Sequence, residues 1–327
     1  TGGLCGDDDE LADEDVIWHC SMDQDGRIVE LYITRPGESI EPYDLSADIG
    51  RLERLEDLCL EWVRSVPGEA LQRLPRLKGL TFHHCPDLFE SLPVQMKLDE
   101  LKNLEELEFT HMEENVDNIL NYLRSIENPF FQDTLKTLAV TCCGLNNTSF
   151  ETLFLEILPS KFPNISRLDV RNNNIRNIQP IVERIGNDKA SIASKSSLRR
   201  LVLYGNPVTR KIERDEDPEE KAAVLNLLNC FKKIQYIGHF YKGQCPSELV
   251  YLLAINRAGR CLLEGQGDRS LPLSAWPIVL KRVYKYDNYV TGIYYLLRNG
   301  PALAARATFG ADKAEKMSPP SKKRKIA

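Results

Sequence analysis

The side chains in this sequence best suited to hold a metal are His83, His84, His111 and Cys142, because imidazole and thiolate are the usual ligands of zinc. Their separations follow no fixed ligand motif, and none of the nine cysteines forms a C-x-x-C pair. An alternating strand would also turn Cys142 and Cys143 to opposite sides. No metal site, cofactor site or catalytic residue is therefore expected. The chain carries no G-x-x-x-x-G-K-S/T phosphate loop and no G-x-G-x-x-G, H-E-x-x-H or G-x-S-x-G signature. The five histidines, His19 and His239 included, stand beside no partnered base that spacing alone would select, so the chain is not expected to be an enzyme.

What would position these side chains is a repeat. The unit Leu135-x-x-Leu138-x-Val140-x-x-Cys143-x-Leu145 recurs as Ile165-x-x-Leu168-x-Val170-x-x-Asn173-x-Ile175 and as Leu198-x-x-Leu201-x-Leu203-x-x-Asn206-x-Val208. Looser copies are Ile28-x-x-Leu31-x-Ile33, Leu55-x-x-Leu58-x-Leu60, Leu77-x-x-Leu80-x-Phe82-x-x-Cys85 and Leu104-x-x-Leu107-x-Phe109, and Ile234-x-x-Ile237 reads as a closing turn. Alternation with period two sends both apolar residues of L-x-L inward, so each unit supplies one short strand and successive strands stack in parallel. The Asn or Cys five places after the first core Leu stands where the chain leaves the strand, and its side chain can satisfy backbone groups that would otherwise be buried unpaired. Pro36, Val63 and Met112 occupy that place in the other units. Core leucines from Leu31 to Leu201 recur at intervals of 22 to 33 residues, and the longer intervals leave room for an outer helix. Asn115 to Ile126 and Phe150 to Leu158 carry helical apolar spacing. Asp217-Pro218-Glu219-Glu220 is a helix start, with an Asp cap, Pro in the first turn and acids near the positive end.

These units resemble the leucine-rich-repeat family, of the ribonuclease-inhibitor-like or an irregular type, over residues 26 to 240. The resemblance implies an α/β solenoid, a horseshoe with short parallel strands on the concave face, helices on the convex face and a C-terminal helical cap. It implies a scaffold that binds a partner protein on the concave face, with a stoichiometric enzyme regulator as an alternative. Trp18-His19-Cys20, a turn and Ile28 to Leu31 resemble the N-terminal caps of plant-type and algal members, and the stretch after residue 240 resembles the tail of diatom and other algal members.

The alternation allows the outward positions to be read as columns. Glu30, Asp57, Gly79, Glu106, Thr137, Arg167 and Arg200 precede the core leucines; Tyr32, Cys59, Thr81, Glu108, Ala139, Asp169 and Val202 follow them by one place. Thr34, Glu61, His83, Thr110, Thr141, Arg171 and Tyr204 follow by three, and Trp62, His84, His111 and Cys142 by four. An acidic N-terminal half (Asp57, Glu61, Glu106, Glu108) and a basic C-terminal half (Arg167, Arg171, Arg200) would steer a bipolar partner into one orientation, although charged outward residues equally suit a solvated face. The expected partner contacts are these seven together with Trp62, His83, Thr141, Asp169 and Tyr204. Trp62 either anchors the partner or packs against the turn.

The ends of the chain differ in charge. Residues 1 to 15 are acidic and residues 306 to 327 form a basic tail, while the formal net charge of −6 leaves the body nearly balanced, with no footprint for nucleic acid. No apolar run is long enough for a membrane span, so a soluble monomer with no membrane or nucleic-acid partner is expected. An odd number of scattered cysteines suits a reducing compartment, although Asn147 and Asn164 head glycosylation sequons. Residues 16 to 240 should form the repeat domain, and 241 to 305 a helical cap with helices at Ser247 to Arg257, Ser274 to Tyr284 and Val290 to Arg298. Leu271-Pro272-Leu273 and the helix after it are also similar to the opening of F-box and related boxes, which would make residues 271 to 298 the docking box of a ubiquitin-ligase substrate adaptor. Lys322-Lys323-Arg324-Lys325 resembles a nuclear-import signal read by an import receptor, with Ser318 before Pro319 as a phosphorylation site beside it, which implies a location in the nucleus, the cytoplasm or both.

Overall fold

The computed structural model of the protein describes residues 17–34, 43–45, 47–85, 88, 98–112, 115–127, 129–187, 193, 196–238, 245–257 and 281. The acidic segment 1–15, the docking box 271–298 apart from Lys281, the expected helix 290–298 and the tail with Ser318 and Lys322 to Lys325 lie outside them.

Along the chain the strands are β1 (Ile17–Met22), β2 (Ile28–Thr34), β3 (Tyr43–Asp44), β4 (Asp57–Glu61), β5 (Val63–Ser65), β6 (Gly79–His83), β7 (Glu106–Thr110), β8 (Thr137–Thr141), β9 (Arg167–Asp169) and β10 (Arg200–Val202). Eight of them form one sheet in the order β1-β2-β4-β6-β7-β8-β9-β10, and β3 pairs with β5 in a small second sheet. The β1–β2 pair is antiparallel, a hairpin closed by the turn in which Asp23 accepts the amides of Asp25 and Arg27, and β1 caps the open edge. Every later pair in the large sheet is parallel.

The register aligns the motif residue for residue. Leu31, Leu58, Leu80, Leu107, Leu138, Leu168 and Leu201 are neighbours across successive strands. All are buried and belong to one continuous core. A second ridge, Ile33, Leu60, Phe82, Phe109 and Val140, runs beside it, with the Phe82 and Phe109 rings stacked at 5.7 Å. Burying each such side chain contributes roughly 1.5–3 kcal/mol, so the ladder is the main stabilising feature of the sheet.

Where each strand ends, the repeat's Asn or Cys meets the backbone. The Asn173 oxygen accepts the amides of Cys143 and Leu145, both at 3.0 Å, while its nitrogen donates to the carbonyls of Val140, Val170 and Arg171. Asn206 repeats the pattern one unit on, accepting from Ile175 and donating to Val170 and Leu203. The Cys85 thiol donates to the Leu60 and His83 carbonyls, and that of Cys143 to the Phe109 and Thr141 carbonyls. Val63 and Met112 stand at this place as buried apolar residues.

Helices fill the connections and pack on the apolar side of the sheet: α1 (Gly68–Gln72), α2 (Val116–Ser125), α3 (Asn147–Glu151), α4 (Leu158–Lys161), α5 (Gln179–Asn187), α6 (Pro207–Glu213), α7 (Pro218–Cys230) and α8 (Ser247–Arg257). The expected helix at 150–158 is the middle of a longer one, because α3 and α4 are joined without a break by a π-helical segment, Thr152–Ile157. That widening precedes Pro159, which has no amide to give the preceding turn. Asp217 caps α7 by accepting the Glu220 amide at 3.1 Å, as its position before Pro218 predicts. Helix α8 covers the last unit: Leu249 and Leu253 are buried, and the Asn256 side chain donates to the carbonyls of Leu228 and Ile234. The architecture is thus mixed α/β, with a mainly parallel sheet and helices against its apolar face. Among the described residues no helix is long and apolar enough to cross a membrane.

Candidate functional site on the outward face of the sheet

The same register that aligns the leucines aligns the residues between them. Glu30, Asp57, Gly79 and Glu106 form one outward row, and Tyr32, Cys59, Thr81 and Glu108 the next. With the hairpin residues His19 and Cys20 they line a groove of about 390 Å³. A Cβ at Gly79 would lie 2.1 Å from the Asp57 carboxylate oxygen, so any other residue there would turn the Asp57 side chain from its present position. Among the described residues none of Glu30, Asp57, Glu106 and Glu108 makes an ion pair. Burial, and then the charges of Glu30 and Glu106, push the Asp57 carboxyl above the ordinary carboxylate range. Burial and Glu106 push up that of Glu108, although Arg167 and Arg171 pull against them. The Cys59 thiol, at the floor of the row, is pushed up to about 12, by burial first and then by Glu61, so it is not a nucleophile at neutral pH.

At the other end the charges are compensated. Asp169 is fully buried, with Arg167 Nη2 at 2.9 Å and Arg171 Nη2 at 3.0 Å from one of its oxygens and the Arg171 amide 3.3 Å from the other. Arg200 lies over the ring of Tyr236, 4.9 Å from its centroid. Tyr204 is half-buried in the turn after β10. Between the two ends, Thr137, Ala139 and Thr141 of β8 are all buried, Thr137 between Glu106 and Arg167 and Ala139 between Glu108 and Asp169 of the flanking strands. Thr141 shares a hydroxyl contact with Thr110 at 3.1 Å. Asp169 and Thr141, expected to touch a partner, therefore present almost no surface; they hold their neighbours instead.

The edge of the face has its own order. Trp62, His84, His111, Cys142 and Asn172 all have positive φ, between 49° and 58°, and Gly205 takes the same place with φ of 77°. Left-handed backbone is unfavourable for side chains other than Gly, by roughly 1 kcal/mol or more per residue. It is held here because each amide still reaches the next strand, as Trp62 N does the His83 carbonyl at 3.1 Å and His84 N that of Thr110 at 3.1 Å. One result is a pile of rings. Trp62 stacks on His84 at 5.0 Å with planes 6° apart, and His84 stacks on His111 at 4.8 Å. The His83 ring stands edge-on to both imidazoles, at 4.5 and 5.1 Å.

Glu61 belongs to this edge rather than to the acidic groove. One carboxylate oxygen accepts the hydroxyls of Tyr32 and Thr34, and the other lies 2.8 Å from His83 Nδ1. Burial opposes its ionisation, but the Thr34, Tyr32 and His83 contacts outweigh it and hold the carboxyl below the ordinary range. Sequence reasoning placed Glu61 and His83 in one column with Thr34 without seeing that acceptor and donors in adjacent strands would bond. The ring pile was likewise missed, although recurrence of Trp62, His84 and His111 at one repeat position was its signal.

No protein-family model matches the chain, and no curated protein matches it. Solved structures similar to it include the tropomodulin C-terminal domain of Caenorhabditis elegans, at 13% identity and a TM-score of 0.37, covering 51% of this chain and 92% of that one. A protein of Bacteroides fragilis matches at 15% identity and a TM-score of 0.30, over 42% of this chain and 39% of that one. An internalin of Listeria monocytogenes matches at 13% identity and a TM-score of 0.29, over 60% and 51%. The strand register within the chain, not these likenesses, carries the description of its fold.

Proposed function

We propose that the chain is a leucine-rich-repeat scaffold, without enzymatic activity, that binds a partner protein on the outward face of its strands. Strands spaced about 4.8 Å apart, backed by helices about 10 Å wide, bend such an array so that this face is concave. The partner places a Lys- or Arg-rich segment in the groove of Asp57, Glu106 and Glu108, and an acidic group toward Arg200 and the outer faces of Arg167 and Arg171. The observation that carries this reading is the groove itself: four acids side by side, with no base paired to them among the described residues and two held above the ordinary carboxylate range by burial and mutual repulsion. A cationic segment relieves that repulsion, which sets both affinity and orientation.

Quantitative affinity capture tests the proposal. Wild type is compared with a variant reversed in the groove (Asp57→Lys with Glu108→Lys) and with one reversed on the helical side at Glu183→Lys. The proposal expects partners lost only in the first; partners retained by it would refute the reading. We further propose that Lys322-Lys323-Arg324-Lys325 engages an import receptor, in which case deleting the run lowers the nuclear fraction of a fluorescent fusion and a charge mimic at Ser318 lowers it partly.

A further inference from the structure

Glu61, His83 and His84 place a carboxylate oxygen and two imidazole nitrogens within 4.8 Å of one another, in a partly buried corner of the strand face. From this juxtaposition we infer a zinc-binding site made of these three side chains, with a fourth position left to water. Two imidazoles and one carboxylate form a ligand set characteristic of Zn²⁺ and related borderline divalent ions, and not of Ca²⁺ or Mg²⁺, which take oxygen ligands.

The three ligand atoms lie near the separations that an ion needs. Bonds of about 2.0–2.1 Å at tetrahedral angles set ligand atoms roughly 3.3 Å apart. Glu61 Oε1 and His83 Nδ1 are 2.8 Å apart and open by about half an ångström to admit the ion, while the His84 ligand atom, within 4.8 Å of the other two, closes in. As the metal binds at Nδ1, the Nδ1 proton passes to solvent from an imidazolium, or is exchanged through solvent to Nε2 in a neutral imidazole, so that His83 binds as a neutral ligand and no redox change is involved.

The surroundings are those of a ligand cage. The hydroxyls of Tyr32 and Thr34 both donate to the second oxygen of Glu61, which fixes the carboxylate with its first oxygen toward the histidines. His84 is held between Trp62 on one face and His111 on the other. The Glu61 and His83 side chains are 14% and 28% exposed, open enough for an ion to enter. The row of Asp57, Glu106 and Glu108 nearby raises the local concentration of cations.

Zinc added to chelator-stripped full-length protein, followed by calorimetry and by the visible absorption of the Co²⁺-substituted form, tests the site. The expected result is one saturable equivalent and the d–d bands of a four-coordinate cobalt. His84→Phe keeps a ring between Trp62 and His111, so the pile stays while the ligand goes, and it should abolish the stoichiometric equivalent, as should His83→Ala. Tyr32→Phe, which removes only a hydroxyl behind Glu61, should weaken binding about tenfold. Retention of the full equivalent by His84→Phe, or no stoichiometric binding by wild type, would overturn the assignment.

Discussion

The acidic and the arginine ends of the strand face are built from the same repeat, yet they treat charge in opposite ways. At the arginine end a buried acid, Asp169, stands between Arg167 and Arg171 and takes part of their charge. At the acidic end Asp57, Glu106 and Glu108 share a groove in which none of them makes an ion pair among the described residues, and burial, followed by like charge, makes Asp57 and Glu108 ionise reluctantly. A compensated cluster contributes to the fold, whereas like charges gathered on one face oppose it. On the proposed reading, the first end is arranged for the molecule itself and the second for a partner.

The largest test of that contrast is Asp169→Ala. It leaves two guanidinium groups without their buried partner and should reduce stability by about 3 kcal/mol in denaturant titration, whereas Asp57→Ala should cost almost nothing. Equal losses at the two sites would erase the distinction. Next is Glu61→Gln, with an expected loss of about 1 kcal/mol at neutral pH. Because the Glu61 carboxyl is held low in the folded protein, its contribution is full above the ordinary carboxyl range and disappears as the pH falls through the folded value. Wild type and variant should therefore converge on acidification, wild type descending.

Glu108→Gln should act in the other direction and by less, a gain of about 0.5 kcal/mol at neutral pH, since like charges on one face of a sheet are destabilising by a few tenths to 1 kcal/mol. Its carboxyl is held high, so the penalty of ionising it is present above the folded value and is relieved as the pH falls through it. These curves also converge in acid, with wild type now the one that approaches from below. A stability gain joined to a loss of partner binding in Glu108→Gln would mark the groove as kept for function.

Much of the fold was legible in the sequence because the leucine pattern states the strand, its inward face and its register together. The columns read from spacing are those that pair in the sheet, from Glu30 beside Asp57 to Arg167 beside Arg200. The Asn and Cys positions were legible too, since a turn leaving a buried strand has few ways to satisfy its backbone. Less legible was which outward residues stay exposed. Asp169 counts as outward by alternation, and only its place between two arginines at i−2 and i+2, all on one face, hints that it would be enclosed. The widened turn before Pro159 and the helices α5 and α6 were not read, the former because a periodic run such as Phe150 to Leu158 does not report its own hydrogen-bond spacing. Glu61 was assigned to the acidic row by charge alone. Its hydrogen bonds depend on side-chain reach across two strands, which column order does not state.

The central claim, that the acidic end of the strand face receives a cationic segment, is tested most directly by fluorescence anisotropy of a labelled Lys/Arg-rich decapeptide titrated with the full chain. The account predicts saturable binding that falls at least about tenfold in Asp57→Lys with Glu108→Lys and is unchanged in Glu183→Lys on the helical side. Equal affinity in all three proteins, or no binding to wild type, would contradict it.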